Sequence, residues 1–292
     1  ILSASNGRLV RGDKSLSIPG VSIDTRSIKK GELFIAIKGD RFDGHDFIDQ
    51  AFVNGAAGAV INESQIEKIV KDAADSSKAV IAVSDTVWAL QELAAFHRQK
   101  YTISLCAVTG TNGKTTTKEM IARILSQRLF IVKNEGNLNN HIGVPLTLLR
   151  LKKNHQAGVI EMGMSGLGEI TRLCEIAQPN IGVITNIGPA HLEGLGSVEN
   201  VIKAKGELLE FLSESDTAVI NADDANSLKA ASKMKGKVVT FGIEYGADVR
   251  AINIRADESG KTSFTIQKGR DSIGITLSML GRHNIYNALS AA

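Results

Sequence analysis

The stretch AVTGTNGKTTTKEM, residues 107–120, decides how the rest of the chain is read. It ends like a phosphate-binding loop, with Gly113-Lys114-Thr115, but it does not begin like one. The common pattern G-x-x-x-x-G-K-[ST] requires a glycine at position 108, where this chain has Val108. The surroundings nevertheless suit an anion site. ISLCAVTG (103–110) is an almost continuous apolar run, as expected of a strand buried on both faces of a parallel sheet. KTTTKEMIARILSQR (114–128) reads as a helix. The turn between them therefore opens onto a helix N-terminus, where backbone N–H groups and the helix dipole favour an anion. Lys114 adds a cation that can reach terminal phosphates, and Thr115 a hydroxyl for a magnesium ion. A plain strand–turn–helix connection does not account for G-T-N-G-K-T-T in this setting. Val108 sets aside the usual P-loop kinase or GTPase.

The same alternation continues on both sides. Downstream, AGVIEMG (157–163), NIGVITNIG (180–188), DTAVINAD (216–223) and KVVTFG (237–242) are apolar strands with helical segments between them, which predicts a doubly wound parallel sheet. From about residue 247, DVRAINIRA, TSFTIQ and SIGITLSM alternate as short antiparallel strands do, and HNIYNALSAA reads as a helix. Upstream, ELFIAI (32–37), GAVIN (58–62) and KAVIAVS (78–84) are strand-like, and HDFIDQAFVNG (45–55) is a helix ended by Gly55. Asp85 is placed to cap a helix carrying Val87, Leu90, Leu93, Ala94 and His97 on one face. The expected fold class is α/β: a small N-terminal α/β domain over residues 1–100 and a central P-loop doubly wound parallel-sheet ATPase domain over 101–292, with a short antiparallel extension. RQKYT (98–102) is the expected joint.

Composition narrows the function. The 292 residues are 43% hydrophobic and 22% charged, with a net charge of +3, values of an ordinary globular protein. No Lys/Arg-rich run occurs, and three Tyr and one Trp make a poor base-stacking surface, so nucleic acid is not the expected partner. Cys106 and Cys174 belong to no C-x-x-C pair, which argues for buried thiols in a reducing cytoplasm. No apolar run approaches the roughly 20 residues of a membrane span, so no membrane insertion is expected.

Several further segments, in order, carry a resemblance. They are SIDTRSIKKGELFIAIKGDRFDGHDFI (22–48), TGTNGKTTT (109–117), NEGNLNNHIGVPLTLL (134–149), IEMGMSGLGEI (160–170), TNIGPAHLEGLGS (185–197), AKGELLE (204–210) and GRHNIYNALSAA (281–292). Together they resemble the Mur ligase family, the ATP-dependent amide-bond-forming enzymes of peptidoglycan synthesis, whose phosphate loop begins at T-G-T without a glycine at 108. The N-L-N-N-x-I-G-V-P form resembles the member that joins D-alanyl-D-alanine to UDP-N-acetylmuramoyl-tripeptide. A folylpolyglutamate synthase shares the fold, but DTRS and RFDGH speak against it. A nucleotide-binding module without catalysis is the alternative from another class.

The resemblance implies ATP and Mg²⁺ as cofactors, in a cytoplasmic, monomeric bacterial enzyme working through an acyl phosphate. Thr109, Gly110, Thr111, Asn112, Gly113, Lys114, Thr115 and Thr116 would cradle the nucleotide, with Asn287 and Asn284 at the adenine. Glu161, at a strand's C-terminal end, suits a hard cation by its position and chemistry. By resemblance it is a magnesium ligand with Thr115 and His191, although a lone loop histidine is ordinarily a surface residue. Lys205 matches the A-K-x-E position whose lysine is carbamylated in the family, which needs an amine of depressed pKa. Lys114, Glu161, His191 and Lys205 are thus the implied catalytic set. Thr25, Arg26, Arg41, Asp43 and His45 are implied contacts to the sugar nucleotide, and Asn139 and Asn140 to the muramoyl-peptide. The family also has a third domain supplying groups to ATP and the amine, so this chain alone is expected to bind nucleotide weakly and not to ligate.

Overall fold

A computed structural model describes residues 1–72, 78–258 and 261–292. The chain divides into two compact units: Ile1–Tyr101 with Pro145–Leu151, and Thr102–Val144 with Lys152–Ala292.

The first unit carries a five-stranded sheet. Its strands are β1 (Arg8–Arg11), β2 (Val21–Ser22), β3 (Leu33–Ile35), β4 (Gly58–Asn62) and β5 (Ala79–Val83), in the order β1-β5-β4-β3-β2. All neighbours are parallel except the edge pair β1/β5. The apolar runs read from the sequence are the buried central strands β3, β4 and β5. Phe34, Ala59, Ile61, Val80 and Ala82 pack with Ile48 and Ala51 into one core. The segment expected as one helix over 45–55 is two pieces. A 3₁₀ turn, Gly44–Phe47, is capped by Asp43, and only Ile48–Val53 is α-helical. The Asp43 side chain accepts the N–H of His45 and so tightens the first turn.

The second unit holds a nine-stranded sheet. Its strands are β6 (Ser104–Thr109), β7 (Ile131–Lys133), β8 (Ala157–Glu161), β9 (Ile181–Ile184), β10 (Thr217–Asn221), β11 (Lys237–Gly242), β12 (Val249–Ala256), β13 (Thr262–Lys268) and β14 (Asp271–Leu277). Their order is β14-β13-β12-β11-β10-β9-β6-β8-β7. From β12 through β7 every pairing is parallel, while β12/β13 and β13/β14 are antiparallel. The burial explains the two sequence textures. β8 is buried at all five positions and β6 at all but its first. β13 alternates, burying Thr262, Phe264 and Ile266, the last two packed with the final helix His283–Ala291. The chain passes from β6 to the edge strand β7 and back to β8 on one side, then to β9 on the other. β6 therefore lies where the strand order reverses, the position at which open parallel sheets take ligands beyond their strand ends.

The cap expected of Asp85 is present: its carboxylate accepts the N–H groups of Val87 and Trp88 at 2.7 and 2.9 Å at the start of the helix Thr86–Arg98. Asp85→Ala removes both bonds and is expected to lower stability by about 1 kcal/mol, read as a lower urea midpoint with an unchanged slope.

Candidate functional site

The phosphate loop is held by neighbouring strand ends. Asn186, just beyond β9, accepts the Thr111 N–H on its carbonyl at 2.9 Å and the Asn112 N–H on its side-chain oxygen at 3.0 Å. Its amide nitrogen and the Thr185 hydroxyl both donate to the Asn112 carbonyl, at 3.0 and 2.6 Å. The Thr111 hydroxyl donates to the Gly188 carbonyl and accepts the Gly188 N–H. The Thr109 hydroxyl donates to the Met162 carbonyl beyond β8. Two glycines are required by this packing. A Cβ on Gly110 would stand 2.0 Å from Thr185 Oγ1, and one on Gly113, whose φ is +81°, would stand 2.2 Å from Asn287 Oδ1. The helix Lys114–Leu125 begins at Gly113 with no side-chain cap, and its first turn closes from the Thr117 N–H to the Gly113 carbonyl. The N–H groups of Lys114, Thr115 and Thr116 precede that bond and lie open to an anion at the helix N-terminus.

Two ammonium groups converge on this loop. Lys114 Nζ donates to the carbonyls of Gly110 at 2.9 Å and Thr111 at 3.2 Å. Lys205, on the helix Val198–Phe211 and 2% exposed, donates to the same Gly110 carbonyl at 3.0 Å. Burial, followed by the nearby charge of Lys114, pushes the Lys205 amine down to about 7. Burial also lowers Lys114, and the charge of Glu161 partly restores it.

Glu161 ends β8 directly opposite Val108 of β6. Its side chain is buried. Oε1 accepts the Asn139 amide at 2.8 Å, and Oε2 has no hydrogen-bond partner among the described residues. A buried carboxylate oxygen that accepts no hydrogen bond, beside such a loop, fits a hard cation such as Mg²⁺. Thr115 lies in the first turn of the phosphate helix, where its hydroxyl could complete such a site. His191 is exposed, with left-handed backbone (φ 52°), and its side chain has no hydrogen bond among the described residues. Among the described residues no three His, Cys, Asp or Glu side chains cluster as a metal cage. Any bound ion would therefore draw on ligands gathered from separate segments rather than on a preformed cage.

A cleft of about 730 Å³ adjoins the loop, lined by Asn112, Gly113, Thr116, Asn186, Asn221, Asp223, His283, Tyr286 and Asn287. Asn287 accepts the Thr117 hydroxyl at 3.4 Å and donates to Asn284 Oδ1 at 3.1 Å, so Asn287 is anchored to the phosphate helix and Asn284 to Asn287. Burial opposes the charge of Asp223. The N–H groups of Ile243, Glu244 and Tyr245 and the Tyr286 hydroxyl outweigh it and hold the carboxyl below its usual range.

Other residues singled out in the sequence have partners that define their local roles. Asn140 caps the next helix, accepting the N–H groups of Ile142 and Gly143. In the first unit, Arg26 is exposed and paired with Asp24, and the Thr25 carbonyl accepts the Asn54 amide. Arg41 is exposed. His45 is buried with both ring nitrogens engaged. The Asn62 N–H can only donate, so Nε2 accepts it at 2.9 Å, and Nδ1 carries the hydrogen given to Asp43 at 2.5 Å. The pair borders a polar cleft of about 440 Å³ with Lys38 and Ser84. Sequence reasoning missed Lys118, Asn134, Asn186 and Asp223. Of these, Asn186 carried a usable signal, a polar residue just past an apolar strand.

Two family models match the chain: the Mur ligase middle domain over residues 108–292 and the Mur ligase family catalytic domain over 17–98. The chain belongs to the Mur ligase family. It is 41% identical over 289 residues to the UDP-N-acetylmuramoyl-tripeptide–D-alanyl-D-alanine ligase of Escherichia coli, an alignment covering 98% of this chain and 61% of that protein. It is similar to the crystal structure of MurF from Acinetobacter baumannii, with a TM-score of 0.88 and 33% identity over 99% of this chain and 62% of that one. The MurF ligase of Thermotoga maritima, determined in complex with ADP, gives a TM-score of 0.82 and 30% identity over 96% of this chain and 63% of that one. The chain thus spans about three-fifths of the length of these relatives.

The depressed Lys205 gives a signed prediction. Below about 7 the buried ammonium is carried by the folded state. As pH rises from about 7 toward the ordinary 10.5, the unfolded chain binds a proton that the folded chain does not, so stability rises. In CO₂-free buffer, urea unfolding of wild type against Lys205→Met is expected to show the wild type gaining on the variant across that window. A constant difference would contradict it.

Proposed function

We propose that the intact protein is an ATP-dependent ligase that joins D-alanyl-D-alanine to UDP-N-acetylmuramoyl-tripeptide in peptidoglycan synthesis, acting as a monomer in the bacterial cytoplasm. The observation that carries this reading is the pairing of Lys114 and Lys205 on the Gly110 carbonyl with a buried Glu161 oxygen that accepts no hydrogen bond beside the same loop. Phosphoryl transfer is governed by position and charge compensation rather than by a nucleophilic side chain, and this site offers cations, open N–H donors and a hard-metal ligand. Family membership and the named relatives support the substrates.

In this reading residues 101–292 bind ATP and residues 1–100 the UDP-sugar peptide. Gly110 through Thr116 and Lys114 hold the phosphates, and Asn284 and Asn287 meet the adenine. Thr115, Glu161 and His191 would hold Mg²⁺, which supplies charge neutralisation at the phosphates when bound. The γ-phosphoryl group passes to the tripeptide carboxylate. The D-alanyl-D-alanine amine then attacks the acyl carbon, and phosphate leaves. Thr25, Arg26, Arg41 and Asp43 face the sugar nucleotide, with His45 holding Asp43. Asn140 borders the muramoyl-peptide, and Asn139 acts through Glu161. Lys205, with its lowered pKa, is the site of carbamylation: its neutral amine forms an N–C bond to CO₂ and releases a proton.

Phosphate release from the intact protein is expected to require both UDP-muramoyl-tripeptide and D-alanyl-D-alanine, and to fall about a hundredfold or more in Lys114→Ala. Release that ignores the dipeptide would refute the substrate assignment. With ¹³C-bicarbonate, a carbamate resonance is expected that grows as pH rises through about 7 at constant dissolved CO₂ and is absent from Lys205→Arg. A resonance that survives in that variant would assign the carbamate elsewhere.

A further inference from the structure

Lys118 is a lysine in a core position. It lies on the phosphate helix one turn beyond Lys114, and its side chain is 0% exposed. Its ammonium is fully engaged: it donates to the Asn134 carbonyl at 2.9 Å and the Gly136 carbonyl at 3.4 Å, and it pairs with Glu119 at 3.1 Å. Glu119 is half-exposed and shared with Lys133. The carboxylate buried alongside Lys118 is Glu161, whose Oε2 stands 3.8 Å from Nζ. That distance is an ion pair but too long for a hydrogen bond, so Oε2 keeps its lone pairs free of any hydrogen bond among the described residues.

The two carbonyls held by Lys118 belong to the segment that fixes Glu161. Asn134 brackets the Glu161 backbone, accepting its N–H at 2.9 Å and donating to its carbonyl at 2.9 Å. The Asn134 amide also ties to the Leu138 carbonyl, and Asn139 holds Oε1. A buried ammonium is expensive to desolvate, and an apolar side chain of similar volume would commonly serve packing as well. Placed here, the ammonium links the phosphate helix, the 134–139 segment and the end of β8 by directional bonds.

We propose that Lys118 is a positioning residue: through the Asn134–Asn139 segment it fixes the Glu161 carboxylate so that Oε1 is occupied and Oε2, which accepts no hydrogen bond, is presented to a divalent cation. This rests on the reading of Glu161 as a metal ligand. Nucleotide held by the loop alone is untouched by it, because Lys118 contributes nothing to the open N–H groups or to Lys114.

The test is Mn²⁺ binding to the intact protein saturated with ADP, followed by electron paramagnetic resonance, with metal-free ADP affinity measured by calorimetry. Lys118→Met keeps the length of the stem and removes the ammonium, and Asn139→Ala frees Oε1 without touching the buried charge. Both are expected to keep metal-free ADP affinity within about twofold and to weaken Mn²⁺ by about tenfold or more. The double variant is expected to be no weaker than the worse single variant by more than about twofold, since both act through one segment. Unchanged Mn²⁺ affinity in Lys118→Met, with binding abolished in Glu161→Gln, overturns the proposal and leaves the metal site standing. Mn²⁺ affinity that survives Glu161→Gln overturns both. Should Lys118→Met fail to fold, Asn139→Ala decides: a wild-type Mn²⁺ affinity there overturns the proposal.

Discussion

Lys114 and Lys205 reach the same backbone oxygen, the carbonyl of Gly110, from two different helices. Most of the site follows from that constraint. Two ammonium groups so close in buried surroundings repel each other, and the low local dielectric magnifies the repulsion. The conflict is relieved if one amine gives up its proton or if an anion enters between them. Lys205, the more deeply buried of the two, is biased toward the first route, because burial and the Lys114 charge lower its pKa to about 7. The second route describes a nucleotide phosphate. The position of the Gly110 carbonyl is in turn set by Thr185, whose hydroxyl fills the space that a side chain at 110 would need.

The topology explains why these groups meet. β6 lies between β8 and β9, so the loop after β6 is flanked by Glu161 on one side and Thr185-Asn186 on the other. Each neighbour contributes something different. The end of β9 supplies hydroxyl and amide bonds that fix the loop, and the end of β8 supplies negative charge. Thr117 then ties the phosphate helix to Asn287 and Ser290 on the final helix, which also covers the antiparallel strands. The antiparallel extension and the phosphate loop thereby share one structural support.

Much of this was legible in the sequence, for physical reasons. Strands buried on both faces must be apolar throughout, so β6, β8, β9 and β10 stand out as runs. The loop stands out because glycines, a lysine and threonines occur together at a strand–helix junction. The edge strands β1 and β7 did not stand out, because they are short and only partly buried. The 3₁₀ start at Gly44–Phe47 was hidden because its cause is a side-chain cap from Asp43 rather than apolar periodicity. Lys118 was illegible for a related reason. A lysine on a helix reads as a solvent-facing residue, and only the three-dimensional placement of the Asn134 and Gly136 carbonyls reveals an enclosed ammonium. His45 looked like a ligand-binding imidazole, yet both its nitrogens serve the loop that carries it, a fact fixed by the backbone of Asn62, seventeen residues away.

The bonds that shape the phosphate loop come from Asn186, Thr185, Thr111 and Gly188, and apart from the lysine contacts none of them involves a charge. Amides and hydroxyls neither titrate in the physiological range nor respond strongly to ionic strength. Geometry and field are therefore assigned to separate sets of atoms. The mould keeps its form over a wide span of solution conditions, while its electrical character is carried by a handful of lysines and one carboxylate and can change without recasting the mould.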